Sequence, residues 1–140
     1  MTNVARYLLA LALSAMLGAC GLKQSYNVSE AEAAKFHAAL SAGQYDAIWN
    51  SAAPEMQSRT DQARFTALLD AISRKLGKVT EAKQTNWSSN NNNGVSTITM
   101  KFATTFEHGS AKETLVFLWV TVDSLKLSDY AIDSPDMLIK

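Results

Sequence analysis

Between residues 29 and 76 apolar side chains return every three or four positions, and from residue 79 onward every second one, with the switch at Gly77. The first spacing belongs to amphipathic helices and the second to half-buried strands. Ser29-Glu30-Ala31-Glu32 has the form of a capping box, and Ala33, Phe36, His37 and Leu40 follow at helical spacing until Gly43 ends the run. Tyr45, Ile48, Trp49 and Ala52 predict a second, shorter helix, which Pro54 either closes or follows as the opening of the next segment. Phe65, Leu68, Leu69, Ile72 and Leu76 form the clearest stripe. Arg74 and Lys75 in its last turn suit the helix dipole, and Gly77 supplies the stop.

Val79 to Trp87 predicts a polar first strand, with Glu81 and Lys83 suited to an exposed edge. Asn90 to Gly94 is expected as a loop whose last pair, Asn93-Gly94, is a strong turn signal. Val95–Phe106, Ala111–Val122 and Leu125–Ile132 predict three more strands. A His108-Gly109 turn would set Ile98 opposite Trp119, Met100 opposite Phe117 and Phe102 opposite Leu115. Glu113 would share that apolar face, opposite Thr104. An Asp123-Ser124 turn would add Tyr130 beside Phe117 and Ile132 beside Leu115. It would also leave Leu118, Val120, Val122, Leu125 and Leu127 on the other face. A slip of one residue would scatter these sets. Helices followed by an antiparallel sheet with one apolar face predict an α+β domain, the helices packed on that face.

Several segments resemble a group of small secreted bacterial domains of unknown function. Gly43-Gln44-Tyr45-Asp46-Ala47-Ile48-Trp49 is similar to their G-x-Y-x-x-x-W helix start, and Leu76-Gly77-Lys78-Val79 to their helix-to-strand junction. Phe102–Phe106 followed by Glu113–Phe117 resembles their central hairpin, and Leu125-Lys126-Leu127 with Tyr130-Ala131-Ile132 their last strand. The resemblance spans about residues 33 to 133. It implies a curved four-stranded antiparallel sheet, the cystatin-like cone of the nuclear-transport-factor-2-like superfamily. Ser128-Asp129 departs from the glycine usual before the tyrosine.

Ahead of the domain, Arg6 and the apolar run Tyr7–Leu17 lead into Leu17-Gly18-Ala19-Cys20. A positive start, an apolar core of about 7–15 residues and a small-residue exit describe a secretory signal. The run is shorter than the roughly 20 residues that a membrane-spanning helix needs. Leu-Gly-Ala-Cys resembles the lipobox of bacterial lipoproteins, which implies cleavage after residue 19 and acyl chains on Cys20. Cys20 is the one cysteine in the chain, so no internal disulfide can use it. The resemblance to Gram-negative lipoproteins further implies, from Gly21 rather than Asp after the cysteine, the outer membrane, facing the periplasm. The expected organisation is a signal peptide over 1–19, a lipidated tether over 20–29 and a single domain over 30–140. The 13 basic and 13 acidic residues balance, and no basic block points to nucleic acid.

Trp49, Phe65, Met100, Phe102, Phe117, Trp119, Tyr130 and Glu113 are the candidate lining of a pocket for a small apolar ligand. The same side chains would equally make a filled core. For acid–base chemistry only His37, Asp46, Asp70 and Glu113 merit attention, and no catalytic set, metal cluster or cofactor motif is expected. The apolar outer set Leu118, Val120, Val122, Leu125 and Leu127 is a candidate interface for a homodimer or an envelope protein. Two functions follow. One is a non-catalytic, lipid-anchored binding or assembly module of the cell envelope. The other is a small pocket enzyme of the isomerase or hydratase type acting on an apolar ligand.

Overall fold

A computed structural model describes the backbone of residues 2–121 and 124–138, and the side chains of residues 21–121 and 124–138. Four helices come first: α1 (Thr2–Ser41), α2 (Tyr45–Ser51), α3 (Pro54–Arg59) and α4 (Gln62–Leu76). The strands β1 (Val79–Asn92), β2 (Val95–Phe106), β3 (Gly109–Thr121) and β4 (Ser124–Asp133) follow, then a 3-10 turn at Pro135–Met137. The strands form one antiparallel sheet in the order β1-β2-β3-β4. The helices bury one face of it, which gives the expected α+β architecture.

The start of the domain differs from expectation. Helix α1 runs unbroken through residues 20–29, where a tether was expected, and Ser29 is not its cap. No proline precedes Pro54 to interrupt it, and the turns around Tyr26 and Ser29 have packing partners. The ring of Tyr26 lies 5.9 Å from that of Trp87. Ser29 is fully buried, donates to the Tyr26 carbonyl at 2.8 Å and accepts from Trp87 Nε1 at 2.9 Å. Pro54 opens α3 as its first residue, and α4 is capped by the Asp61 side chain on the Arg64 amide at 2.8 Å. Gly77 ends α4 at φ +80, and a Cβ there would lie 2.6 Å from the Glu107 carboxylate.

The β1–β2 connection is tighter than expected. Asn92 pairs with Val95, so Asn90–Asn92 belong to the strand and only Asn93-Gly94 turns. Both turn residues have positive φ, +52 and +81, as the favoured two-residue hairpin requires.

The β2–β3 turn is Glu107-His108 rather than His108-Gly109, because Phe106 pairs with Gly109. Its amides are already committed: His108 N donates to the Leu76 carbonyl at 2.8 Å and Glu107 N to that of Lys78 at 3.0 Å. Every β2–β3 pair therefore shifts by two, to Ile98–Phe117, Met100–Leu115 and Phe102–Glu113. A shift of two leaves each side chain on its expected face.

Strand β4 shifts in two different ways. Near its end Leu115 pairs with Tyr130 and Glu113 with Ile132, again two residues from expectation. Between Asp129 and Leu127 the register then slips by one, with Ser128 as the extra residue. That bulge turns Leu125 and Leu127 inward, opposite Trp119 and Phe117, and both are buried. They leave the expected outer patch. The bulge is held from outside: Ala53 N donates to the Leu127 carbonyl at 2.8 Å, and Arg59 donates to that of Ser128. Val120 is itself an extra residue between Trp119 and Thr121, and Thr121 pairs with Ser124, which belongs to the strand rather than to the expected turn. Val122 and Asp123 lie outside the described residues.

Bulges also break β1, at Thr80 and Thr85. Each bulged hydroxyl bonds a carbonyl of the neighbouring strand: Thr80 to Thr105 at 3.1 Å, Thr85 to Lys101 at 3.2 Å, and Ser128 to Val116 at 3.2 Å. Bulges bend a strand and increase its twist. In β1 they place Val79, Ala82, Gln84 and Trp87 on the half-buried side, at steps of three, two and three.

Candidate functional site

Glu113 occupies an inward position of β3, paired with Phe102 on one side and Ile132 on the other. It is 1% exposed. An isolated carboxylate in such a place would be costly, so its partners decide whether the fold tolerates it. Those partners come from three other elements. His37 of α1 places Nε2 2.9 Å from Oε2, Thr104 of β2 donates its hydroxyl to the same oxygen, and Tyr130 of β4 donates to Oε1 at 2.6 Å.

Aromatic rings wall the group in. The His37 ring stands edge-on to Phe102, with centroids 5.2 Å apart, and Phe36 lies 4.8 Å from Tyr130. Burial pushes the Glu113 pKa upward, but the hydrogen bond and charge of His37, with the hydroxyls of Thr104 and Tyr130, outweigh it and hold it below the usual carboxylate range. Burial first, then the Glu113 charge and its hydrogen bond, push the Tyr130 phenol well above its usual range. The stable arrangement at neutral pH is thus a carboxylate facing an un-ionised phenol. Three donors occupy most of its roughly four acceptor positions. Such a group fixes four elements relative to one another. It has little left to offer a substrate.

The residues expected to line a pocket meet as packing. Trp49, Phe65, Met100, Phe102, Phe117 and Tyr130 belong to one buried cluster, with Trp49 and Phe65 in ring contact at 5.8 Å. Trp119 is half-buried at its margin. Three surface grooves adjoin this core. One of about 470 Å³ exposes edges of Phe65, Leu68 and Tyr130 between Arg59 and Arg64. A second, of about 500 Å³, lies on the outer sheet face, where Thr97, Val116 and Leu118 meet Glu55, Ser58 and Arg59. A third, of about 310 Å³, separates Gly21, Gln24 and Ser25 from Ser89, Ser96 and Trp119. None of these three touches His37 or Glu113.

Of the acid–base candidates, the structure joins His37 and Glu113 and keeps Asp46 and Asp70 on the helix surface. Asp46 accepts from Gln62 at 2.8 Å, and Asp70 pairs with Arg74 at 2.7 Å. Of the expected outer patch, Leu118 is half-buried in its groove and Val120 is exposed. Thr104, expected directly opposite Glu113, pairs with Ala111 instead and reaches the carboxylate diagonally. One polar position escapes a reading by periodicity: Ser29, which receives the indole of Trp87. Ser29 gave no signal of this contact, because its capping pattern pointed elsewhere.

Among the described residues, no group of three or more His, Cys, Asp or Glu is placed to hold a metal ion. No helix there is long and apolar enough to cross a membrane. The side chain of Cys20 lies outside the described residues.

Neither the curated proteins nor the solved structures contain a match to this chain. A family profile does match, over residues 32–130, from the last quarter of α1 to Tyr130 in β4, so that it takes in His37, Thr104, Glu113 and Tyr130. The chain belongs to the family of proteins of unknown function DUF4019.

Proposed function

We propose that the protein is a lipoprotein of the bacterial cell envelope, held by acyl chains on Cys20 and most consistent with the outer membrane facing the periplasm. Its domain binds or assembles rather than catalyses. The observation that carries the non-catalytic reading is the closed setting of Glu113, saturated by His37, Thr104 and Tyr130 where a pocket enzyme would need an open acid or base. The anchor rests on the apolar leader and the Leu17–Cys20 motif. Helices preceding a bulged, bent meander support the finer fold assignment, a cystatin-like cone. Partner contact falls to the groove around Leu118, where the outer face keeps half-buried apolar groups beside α3.

Cell fractionation and mass measurement test this. The wild-type chain should sediment with membranes and carry acyl mass on Cys20, whereas Cys20→Ser should not. Photo-crosslinking from position 118 should capture a second copy or an envelope protein. Co-purification of a small apolar molecule released by Glu113→Gln would favour the isomerase or hydratase reading instead.

A further inference from the structure

We infer that the end of the sheet carrying the Asn93-Gly94 turn, with Leu22, Val95 and Val120 around it, is a lipid-contacting face, set against the bilayer that holds Cys20. The inference rests on the anchor reading above and adds an orientation to it.

Helix α1 runs opposite to β1. Its Ser29 bonds Trp87, and its last residue, Ser41, accepts from the Val79 amide at 3.1 Å. Going back from Ser29 therefore leads toward the Asn92 end of β1, and Gly21 faces Ser89 and Ser96 across a groove. In an up-and-down meander the β1–β2 and β3–β4 connections share that same end. The backbone from Cys20 into Gly21 enters the domain at that end, across from Ser89, Ser96 and Trp119.

The exposed apolar groups gather there too. Leu22, Val95 and Val120 are 61%, 54% and 53% exposed, and they account for three of the four large exposed hydrophobics among the described residues. Each sits next to a different part of this end: Leu22 two residues after the anchor, Val95 at the first hairpin, Val120 in the bulge before the second.

Charge is arranged to match. Residues 84–100 contain no Asp, Glu, Lys or Arg, and neither do residues 114–122. Among the described residues the charges nearest the tips are Lys23 and Lys126, with Glu55 and Arg59 further in beside Thr97 and Leu118, and Lys23 suits anionic headgroups. Lys78, Glu107, Lys112 and Asp136 lie toward the opposite end. From the level of Tyr26 and Trp87, α1 rises about 7 Å to Gly21 at 1.5 Å per residue. β1 rises about 16 Å to Asn92 at about 3.3 Å per residue. The hairpin tip thus overhangs the anchor by roughly the depth of the polar layer of one leaflet. Asn and Ser side chains can exchange hydrogen bonds with that layer without burying a charge.

The test places a fluorophore on an introduced cysteine, Val95→Cys or Val120→Cys, with His108→Cys at the far end as control. Each lipidated full-length precursor is processed in cells and reconstituted in phosphatidylethanolamine–phosphatidylglycerol vesicles containing nitroxide-labelled lipid. Labels at 95 and 120 should be quenched at least twofold more than the label at 108. Equal quenching at all three positions, with acyl mass present on Cys20, overturns the face and leaves the anchor standing. Absence of acyl mass on Cys20 overturns the anchor reading and this inference with it. Shielding without nitroxide quenching, rising with protein density, assigns the face to a second copy and overturns the lipid assignment.

Discussion

His37 and Glu113 stand 76 residues apart in the chain and meet at 2.9 Å inside the core. Thr104 and Tyr130 complete the contact, so one carboxylate gathers α1, β2, β3 and β4. Removing it strands three donors in an apolar setting. Glu113→Ala should cost several kcal/mol of stability, since each buried group left without its hydrogen-bond partner costs about 1–3 kcal/mol. Glu113→Gln keeps an acceptor oxygen and should cost less. Urea denaturation of both variants checks this, and equal losses would mean that the volume of the side chain matters more than its acceptors.

Acid should act through the same group. The folded Glu113 pKa lies below its ordinary value, so the folded state holds its proton less tightly than the unfolded chain. Its contribution is therefore complete above the unfolded pKa, about 4.3, and is lost as pH falls below that and through the folded value. Stability of the wild-type domain should fall more steeply below about pH 4.3 than that of Glu113→Gln. Parallel acid limbs in denaturant midpoints would contradict the linkage.

Tyr130 gives the opposite limb. Its folded pKa is raised, so the folded state holds the phenolic proton more tightly than the unfolded chain does. That contribution is present below about pH 10, the unfolded value, and lost as pH rises beyond it. In a spectrophotometric titration, the Tyr130 phenol should ionise only on unfolding. Tyr130→Phe should remove that late step.

The Ser128 bulge separates two leucines from a valine that simple alternation would group together. Leu127 is buried, and Leu127→Ala should cost about 2–5 kcal/mol. Val120 is 53% exposed, and Val120→Ala should stay within about 0.5 kcal/mol. Thermal melts of the two variants decide between the bulged register and an unbroken one, in which both costs would be small.

The periodicity carried the order of helices before strands, though not the short α3, and also the inward stripe of α4 and the inward set Ile98, Met100, Leu115 and Phe117, because none of these depends on register. It also marked Glu113 as an acid on an apolar face. The exact pairing was out of reach, since the β2–β3 turn is chosen by carbonyls of Leu76 and Lys78 from a different element. The one-residue slip in β4 was equally hidden. It depends on contacts from Ala53 and Arg59 that have no local signature. Ser29 was misread for a related reason: a capping pattern is local, and the indole that claims it lies 58 residues away.

The Glu113 shell also bears on the order of folding. Its donors lie at positions 37, 104 and 130, so no hairpin formed early can satisfy the carboxylate alone. A collapsed intermediate that sealed Glu113 without α1 and β4 would bear the desolvation cost with too few partners to offset it. The shell therefore disfavours premature closure and makes docking of the helices and completion of the sheet a single late event. Substitutions at His37 should then speed unfolding and leave the refolding rate nearly unchanged, which stopped-flow chevrons would show.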